Sequence, residues 1–136
     1  MLPSATLSKA VRTTTREDAL TALWRELLDS HARVSGALER ALQAEHGLGV
    51  SEFEVLDRLV GADTDQRRMQ ELAESVHLSQ SALSRLIGRL EAEGLVSRSI
   101  CRDDRRGIFA CITDAGRERH AEALPTQRRV LADVLG

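Results

Sequence analysis

The side chains with the most chemistry to offer fall between residues 79 and 106. Ser79, Gln80, Ser81, Ser84, Arg85 and Arg89 are hydrogen-bonding or cationic, while Leu83, Leu86, Ile87 and Leu90 are apolar. At helical spacing the two sets separate onto opposite faces, with Gly88 on the polar side and no carboxylate before Glu91. Small Ser and Gly residues let such a helix sit deep in a DNA major groove, where Arg85 can pair with guanine and Gln80 with adenine. Ser79, Ser81 and Arg89 suit phosphates, which set register. Beyond them, Arg105 and Arg106 stand beside Gly107, where long cations can extend into a minor groove, and Asp104 is placed to orient one of them. A merely solvated helix face and a surface ion pair are the plainer readings of the same residues. No nucleophile–base pair, phosphate loop or metal motif occurs, so the chain reads as not an enzyme. His31, His46, His77 and His120 are scattered, so no metal is expected, and no cofactor is implied.

These side chains need elements to hold them, and the periodicity supplies a set. Residues 1–15 read as a mobile arm. From Arg16 to Glu45 there is no Pro and one Gly, and Leu20, Leu23, Leu27, Val34, Leu38 and Leu42 form a near-heptad stripe. This predicts a helix of about thirty residues ending near His46-Gly47. It is too long to be covered by the small domain that remains, so a partner chain or the chain's own tail must cover it. Ser51-Glu52-Phe53-Glu54 has the form of a capping box for a second helix, with Phe53, Leu56, Leu59 and Val60 inward and Gly61 as stop. Asp63 to Arg68 reads as a polar turn. A third helix is predicted over about 70–76, with Leu72, Ala73 and Val76 inward. A tight His77-Leu78 connection and the N-cap Ser79 then lead into a fourth over about 80–93, ended by Gly94. Two short helices so joined match a helix-turn-helix. Val96, Arg98 and Ile100, then Ile108, Ala110 and Ile112, alternate on either side of a charged turn, which predicts a β-hairpin. Thr113-Asp114 caps a last helix that Pro125 should bend or divide.

Composition sets the outer bounds. The chain has 136 residues and 15.0 kDa, enough for one modest domain and too few for two ordinary ones. Trp24, Phe53 and Phe109 are the only aromatics, so Leu, Val, Ile and Ala must build the core. The net charge of −2 offers no hint of a nucleic-acid partner. It averages an acidic first half, seven basic against eleven acidic side chains over 1–65, with a stretch at 79–106 holding six arginines against four acids. There is no long apolar run for a secretory signal or membrane span, and two cysteines make no disulfide framework. The expected setting is cytoplasmic, with no membrane partner.

A helix-turn-helix followed by a β-hairpin is a winged helix. Residues 69–98, MQELAESVHLSQSALSRLIGRLEAEGLVSR, followed by DDRRGIFACITDAGRE from Asp103 to Glu118, resemble the multiple antibiotic resistance regulator (MarR) family. The carriers are LA in the first helix, S-x-x-x-x-S-R in the second, L-E-x-x-G-L-V-x-R and D-R-R-x5-[LI]-T-x-x-G, and the resemblance covers about residues 16–125. It implies a mainly α fold with a small β-hairpin wing, a winged helix-turn-helix with long dimerisation helices. The single domain 1–136 would comprise the arm 1–15, dimerisation helices 16–46 and 114–136, and the winged helix-turn-helix region 51–113. The implied function is a homodimeric, sequence-specific repressor on a pseudo-palindromic DNA operator, released by a small aromatic or phenolic ligand. By position, the DNA contacts become Ser79, Gln80, Ser81, Ser84 and Arg85, with Arg105 and Arg106 in the wing and Asp104 orienting them. Leu20, Leu23 and Leu27, with Val130 and Leu131 of the tail, are the expected dimer contacts. Two departures stand out. His77 occupies a turn position where the family often has Gly, and a left-handed backbone there carries a cost. Only 23 residues follow Thr113 where the family usually ends in two substantial helices. Either the first helix carries most of the dimer, or the tail is short by design or truncation.

Two further features bear on regulation. Cys101 and Cys111 fall on one face of the hairpin and are expected to lie opposite each other, which would allow a redox-responsive regulator. A small buried hydrophobe is the commoner role of free Cys. Trp24, Arg25, His31 and Arg33 on the first helix, with Asp57 on the second, are candidates for an organic carboxylate or phenolate effector, and packing and solvated charge are the plainer alternative. A winged-helix module that binds protein and not DNA is the other functional class.

Overall fold

The computed structural model describes residues 15–62, 64–100 and 107–136. Helix α1 runs over Arg16–His46, starting where the sequence predicts. Thr15 and Asp18 cap it reciprocally, each side chain accepting the other's backbone N–H at 3.1 and 3.2 Å. Gly47 (φ +65) ends it, and the Leu48 N–H reaches back to the Leu42 carbonyl at 3.3 Å. The chain divides into two compact units, Met1–Arg33 and Val34–Gly136. Within the described part of the first, Leu20, Leu23, Trp24, Leu27 and Leu28 are all exposed, between 46% and 58%.

The second unit begins with Leu38 and Leu42 of α1 buried in the core. Helix α2 is Val50–Val60, and its start corrects the predicted Ser51 box. Gly49 is the N-cap, its N–H donating to Glu52 Oε1 at 2.8 Å, and the Val50 N–H donates to Glu39 Oε1 at 3.2 Å. Two carboxylates thus satisfy the first N–H groups, and Ser51 is already helical and exposed. The predicted turn over 63–68 is also corrected, since Gln66–Arg68 forms strand β1. It follows Asp65, which has φ +61. Helix α3 (Met69–Ser75) begins directly after β1. His77 has φ +59, and the Leu78 N–H reaches the Ala73 carbonyl at 3.0 Å, so a histidine performs the helix-ending turn usual for Gly.

Helix α4 (Gln80–Ala92) buries Leu83, Leu86, Ile87 and Leu90, as its periodicity predicts. Strands β2 (Val96–Ile100) and β3 (Ile108–Ile112) form the expected hairpin. β1 pairs with the other edge of β3, giving a three-stranded antiparallel sheet in the order β1-β3-β2. The register places Val96 opposite Ile112, which puts Ser97 and Gln66 opposite Cys111. The expected Cys101–Cys111 opposition is therefore corrected: the Cys111 thiol lies 3.3 Å from Gln66 Oε1, and Cys101 is outside the described residues.

Helix α5 (Asp114–Leu135) is capped by Thr113, whose hydroxyl accepts from the Gly116 N–H at 3.0 Å. The helix passes Pro125 undivided. Pro125 and Ala121 are both exposed, so water can take the bond that the missing N–H leaves unmade. α5 packs chiefly on α2, and it buries Gly116, His120, Ala123, Thr126 and Val130. Val130, expected at a dimer contact, is thereby covered by its own chain, at 7% exposure. Polar bonds complete this packing. His120 stacks on Phe53, the aromatic ring in the core, and bonds Asp57 Oδ1 at 2.7 Å. His46 Nε2 lies 2.7 Å from Thr126 Oγ1. Arg129 pairs with Glu45 at 2.6 Å, which holds that carboxyl below its usual range.

Glu54 is half-buried on α2, and burial, with Asp57 beside it, raises its carboxyl above the usual range against a smaller opposing pull from Arg58. A raised native value favours the folded chain at low pH, and that contribution is lost as pH rises through the carboxylate range. Glu54→Gln should raise the melting midpoint at pH 7 by roughly 1–3 °C, with no gain at pH 3. Thermal denaturation at the two pH values reads the difference, and an equal gain at both would contradict it.

Candidate nucleic-acid interface

The N-terminus of α4 is fixed by its own sequence. Ser79 is extended and its hydroxyl accepts the Ala82 N–H at 3.1 Å, with Ser81 Oγ 3.4 Å away. A hydroxyl used as a cap acceptor keeps its proton for a phosphate oxygen. With four apolar residues turned in, Gln80, Ser81, Arg85 and Arg89 are exposed and Ser84 and Gly88 are half-buried. The structure therefore gathers every α4 residue proposed from the sequence onto one outer face.

That face is braced from behind by a residue the sequence did not single out. Arg98 of β2 lies two residues from buried Val96, on the same face, and pairs in register with buried Ala110, so it lies on the inward side of the strand at its rim. Its guanidinium donates through Nη2 to the Ser84 carbonyl at 2.5 Å and through Nη1 to Ser84 Oγ at 3.3 Å. Its Nε meets Glu91 Oε1 at 2.9 Å, and its backbone N–H donates to Glu91 Oε2 at 3.3 Å. Glu91, the carboxylate at the edge of that face, is thus matched by a cation. A charged residue at an inward position of a period-2 run was the available signal, because such a residue must find partners.

The base of the wing adjoins the same face. Gln80 lines a cavity of about 200 Å³ with Arg68, Met69, Gln70, Gly107 and Ile108. Arg68, also missed from the sequence, lies 5.4 Å over the Phe109 ring. Arg105 and Arg106, expected in the wing, and Asp104, expected to orient them, lie outside the described residues.

The other candidates fall elsewhere. Trp24, Arg25, His31 and Arg33 are exposed on the first unit, while Asp57 is in the second and is held by His120. Leu20, Leu23 and Leu27 are exposed and Leu131 is half-buried. Among the described residues no cluster of three or more metal-ligating side chains occurs, and no helix is long and apolar enough to cross a membrane.

Comparison with known proteins agrees with this geometry. Residues 46–107 match the sequence profile of the MarR family. YdgJ of Bacillus subtilis, an HTH-type transcriptional regulator, is 28% identical over 110 residues, which are 81% of this chain and 66% of that protein. The chain thus spans just under two thirds of that relative. The solved structure of AbsC, a MarR family transcriptional regulator from Streptomyces coelicolor, is 32% identical with a TM-score of 0.79, covering 91% of this chain and 82% of that one. Sco3205 from the same organism, a MarR family transcriptional regulator solved in complex with DNA, is 31% identical with a TM-score of 0.80, covering 90% and 76%. With the helix-turn-helix, its three-stranded sheet and these similarities in place, the chain belongs to the MarR family of transcriptional regulators.

Proposed function

We propose that this chain binds double-stranded DNA sequence-specifically as a homodimer and represses transcription from a pseudo-palindromic operator. The observation that carries the reading is the outer face of α4, where Gln80, Ser81, Arg85 and Arg89 stand exposed together above a fully apolar inner face. Arg85 and Gln80 are assigned to base edges, Ser79, Ser81 and Arg89 to phosphates, and Arg105 and Arg106 to the flanking minor groove. Ser84 keeps a hydroxyl proton for DNA while accepting from Arg98. The DNA-bound Sco3205 structure supports the partner class.

Fluorescence anisotropy against a duplex selected by the protein from a random-sequence pool tests this directly. Affinity should fall steeply as salt rises. Arg85→Ala should weaken the selected duplex by about 1–3 kcal/mol and relax its sequence preference, while Arg89→Ala should weaken all duplexes alike and reduce the salt slope by about one. Selection of no duplex would leave the winged helix as a protein-binding module.

The homodimer rests on the row of exposed apolar residues at Leu20, Leu23, Leu27 and Leu28. Such a patch is costly in water and suits a second copy of the same helix. Light scattering at micromolar concentration should give twice the chain mass, and Leu23→Glu should halve it. A monomeric parent chain would remove the two-half-site arrangement.

The effector class is an aromatic carboxylate or phenolate, matched by Trp24 with the Arg25, His31 and Arg33 side chains of the same helix. A thermal-shift series with aromatic acids should stabilise the parent chain, and Arg25→Ala should reduce the shift. No stabilisation by any acid, with DNA binding unchanged, would count against ligand release.

A further inference from the structure

The reading helix and the wing must enter different grooves of one duplex, so their relative placement matters as much as the side chains they carry. Arg98 is where β2 grips α4. Its guanidinium touches Ser84 and Glu91, seven residues and about 10 Å apart along the helix axis, and so spans two turns. Gly88 lies between those two, and a Cβ built there would sit 3.6 Å from Arg98 Nη2, at contact distance, so the guanidinium packs directly over the glycine. The planar fork supplies donors in fixed directions to the Ser84 carbonyl, the Ser84 hydroxyl and the Glu91 carboxylate, a geometry that a lysine ammonium cannot reproduce. Its charge is already matched by Glu91 at 2.9 Å, which makes it a poor free cation for a phosphate.

We propose that Arg98 is a positioning residue, which with Glu91 and Ser84 locks the reading helix to the first wing strand and thereby sets sequence discrimination and not overall DNA affinity. The inference rests on the DNA-binding reading above. Because Arg98 and Glu91 are each about one third exposed, at 32% and 36%, their pairing contributes little to stability, and its removal should leave the fold intact. A helix released from the strand still presents its cations to the backbone. It no longer presents Arg85 and Gln80 to base edges at the offset that the wing requires.

The test compares a duplex selected by the parent protein from a random-sequence pool with unselected duplexes of the same length, by anisotropy over a range of salt. Arg98→Met should weaken the selected duplex about tenfold, change the unselected ones less than about twofold, and leave the salt slope unaltered. Arg98→Lys, which keeps the charge and loses the fork, should be about as defective. Glu91→Gln is the decisive variant, since loss of a carboxylate by electrostatics alone tightens binding to every duplex. The lock requires the selected duplex to bind more weakly, and the double variant to be no worse than Arg98→Met. Equal weakening of all duplexes by Arg98→Met with a slope shallower by about one would make Arg98 a phosphate contact and overturn the proposal. Tighter binding of the selected duplex by Glu91→Gln would overturn it too. Should Arg98→Met melt much earlier than the parent, Glu91→Gln, an isosteric change at an exposed site, decides alone. Failure of the parent protein to select any duplex would end the DNA-binding reading at a step before any variant is made.

Discussion

Thr113 is the point on which the second unit is hung. Its backbone N–H donates to the Leu95 carbonyl at 3.1 Å, and its hydroxyl donates to the Gly94 carbonyl at 2.7 Å while accepting from the Gly116 N–H. One residue, through its N–H and its hydroxyl, therefore ties the segment between α4 and β2 to the end of β3 and the first turn of α5. Gly116 belongs to the same knot, since a Cβ there would overlap the Leu95 carbonyl and the Ile112 side chain. A backbone approach this close fixes α4 and the hairpin to the start of α5 without a large contact area. Asp65 joins the knot from the other side, its carbonyl taking the Ile112 N–H at 3.0 Å and its carboxylate pairing with Arg117.

The apolar core and the polar bonds around it divide the work. Leucines, valines and isoleucines, with Phe53 as the large ring among them, provide the buried area from which most of the stability derives. The His120–Asp57, His46–Thr126 and Arg119–His46 contacts provide direction, holding α5 against α2 and the end of α1 in one rotational setting. No buried side-chain nitrogen or oxygen among the described residues lacks a partner, so none bears the full cost of an unmade hydrogen bond.

What the sequence reveals follows from which forces act locally. The α4 face, its Ser79 cap and the β2–β3 hairpin are legible because periodicity and capping are properties of consecutive residues. Strand β1 is not, because Gln66-Arg67-Arg68 is three polar residues with no alternation, and it becomes a strand only by pairing with β3 far along the chain. The Ser51 pattern misleads because the N–H groups of Gly49 and Val50 find Glu52 and the distant Glu39. The bonding of Arg98 is not legible from its own strand, since its partners Ser84 and Glu91 lie on another element. Register likewise decided Cys111: a hairpin anchored by Val96 opposite Ile112 sets Ser97 across from it.

The pairing of β1 with β3 has a kinetic side. Gln66 and Cys111, 45 residues apart, close a loop that contains the whole helix-turn-helix and the hairpin. Loop-closure entropy is lost once for the entire segment, and the contacts that offset it are distributed over every element inside. Neither α3, only seven residues long, nor α4 at thirteen is long enough to persist alone in water. Helix α4 therefore depends on the sheet for its persistence. Amide hydrogen exchange should find α4 and β3 opening with a common free energy, as a single foldon.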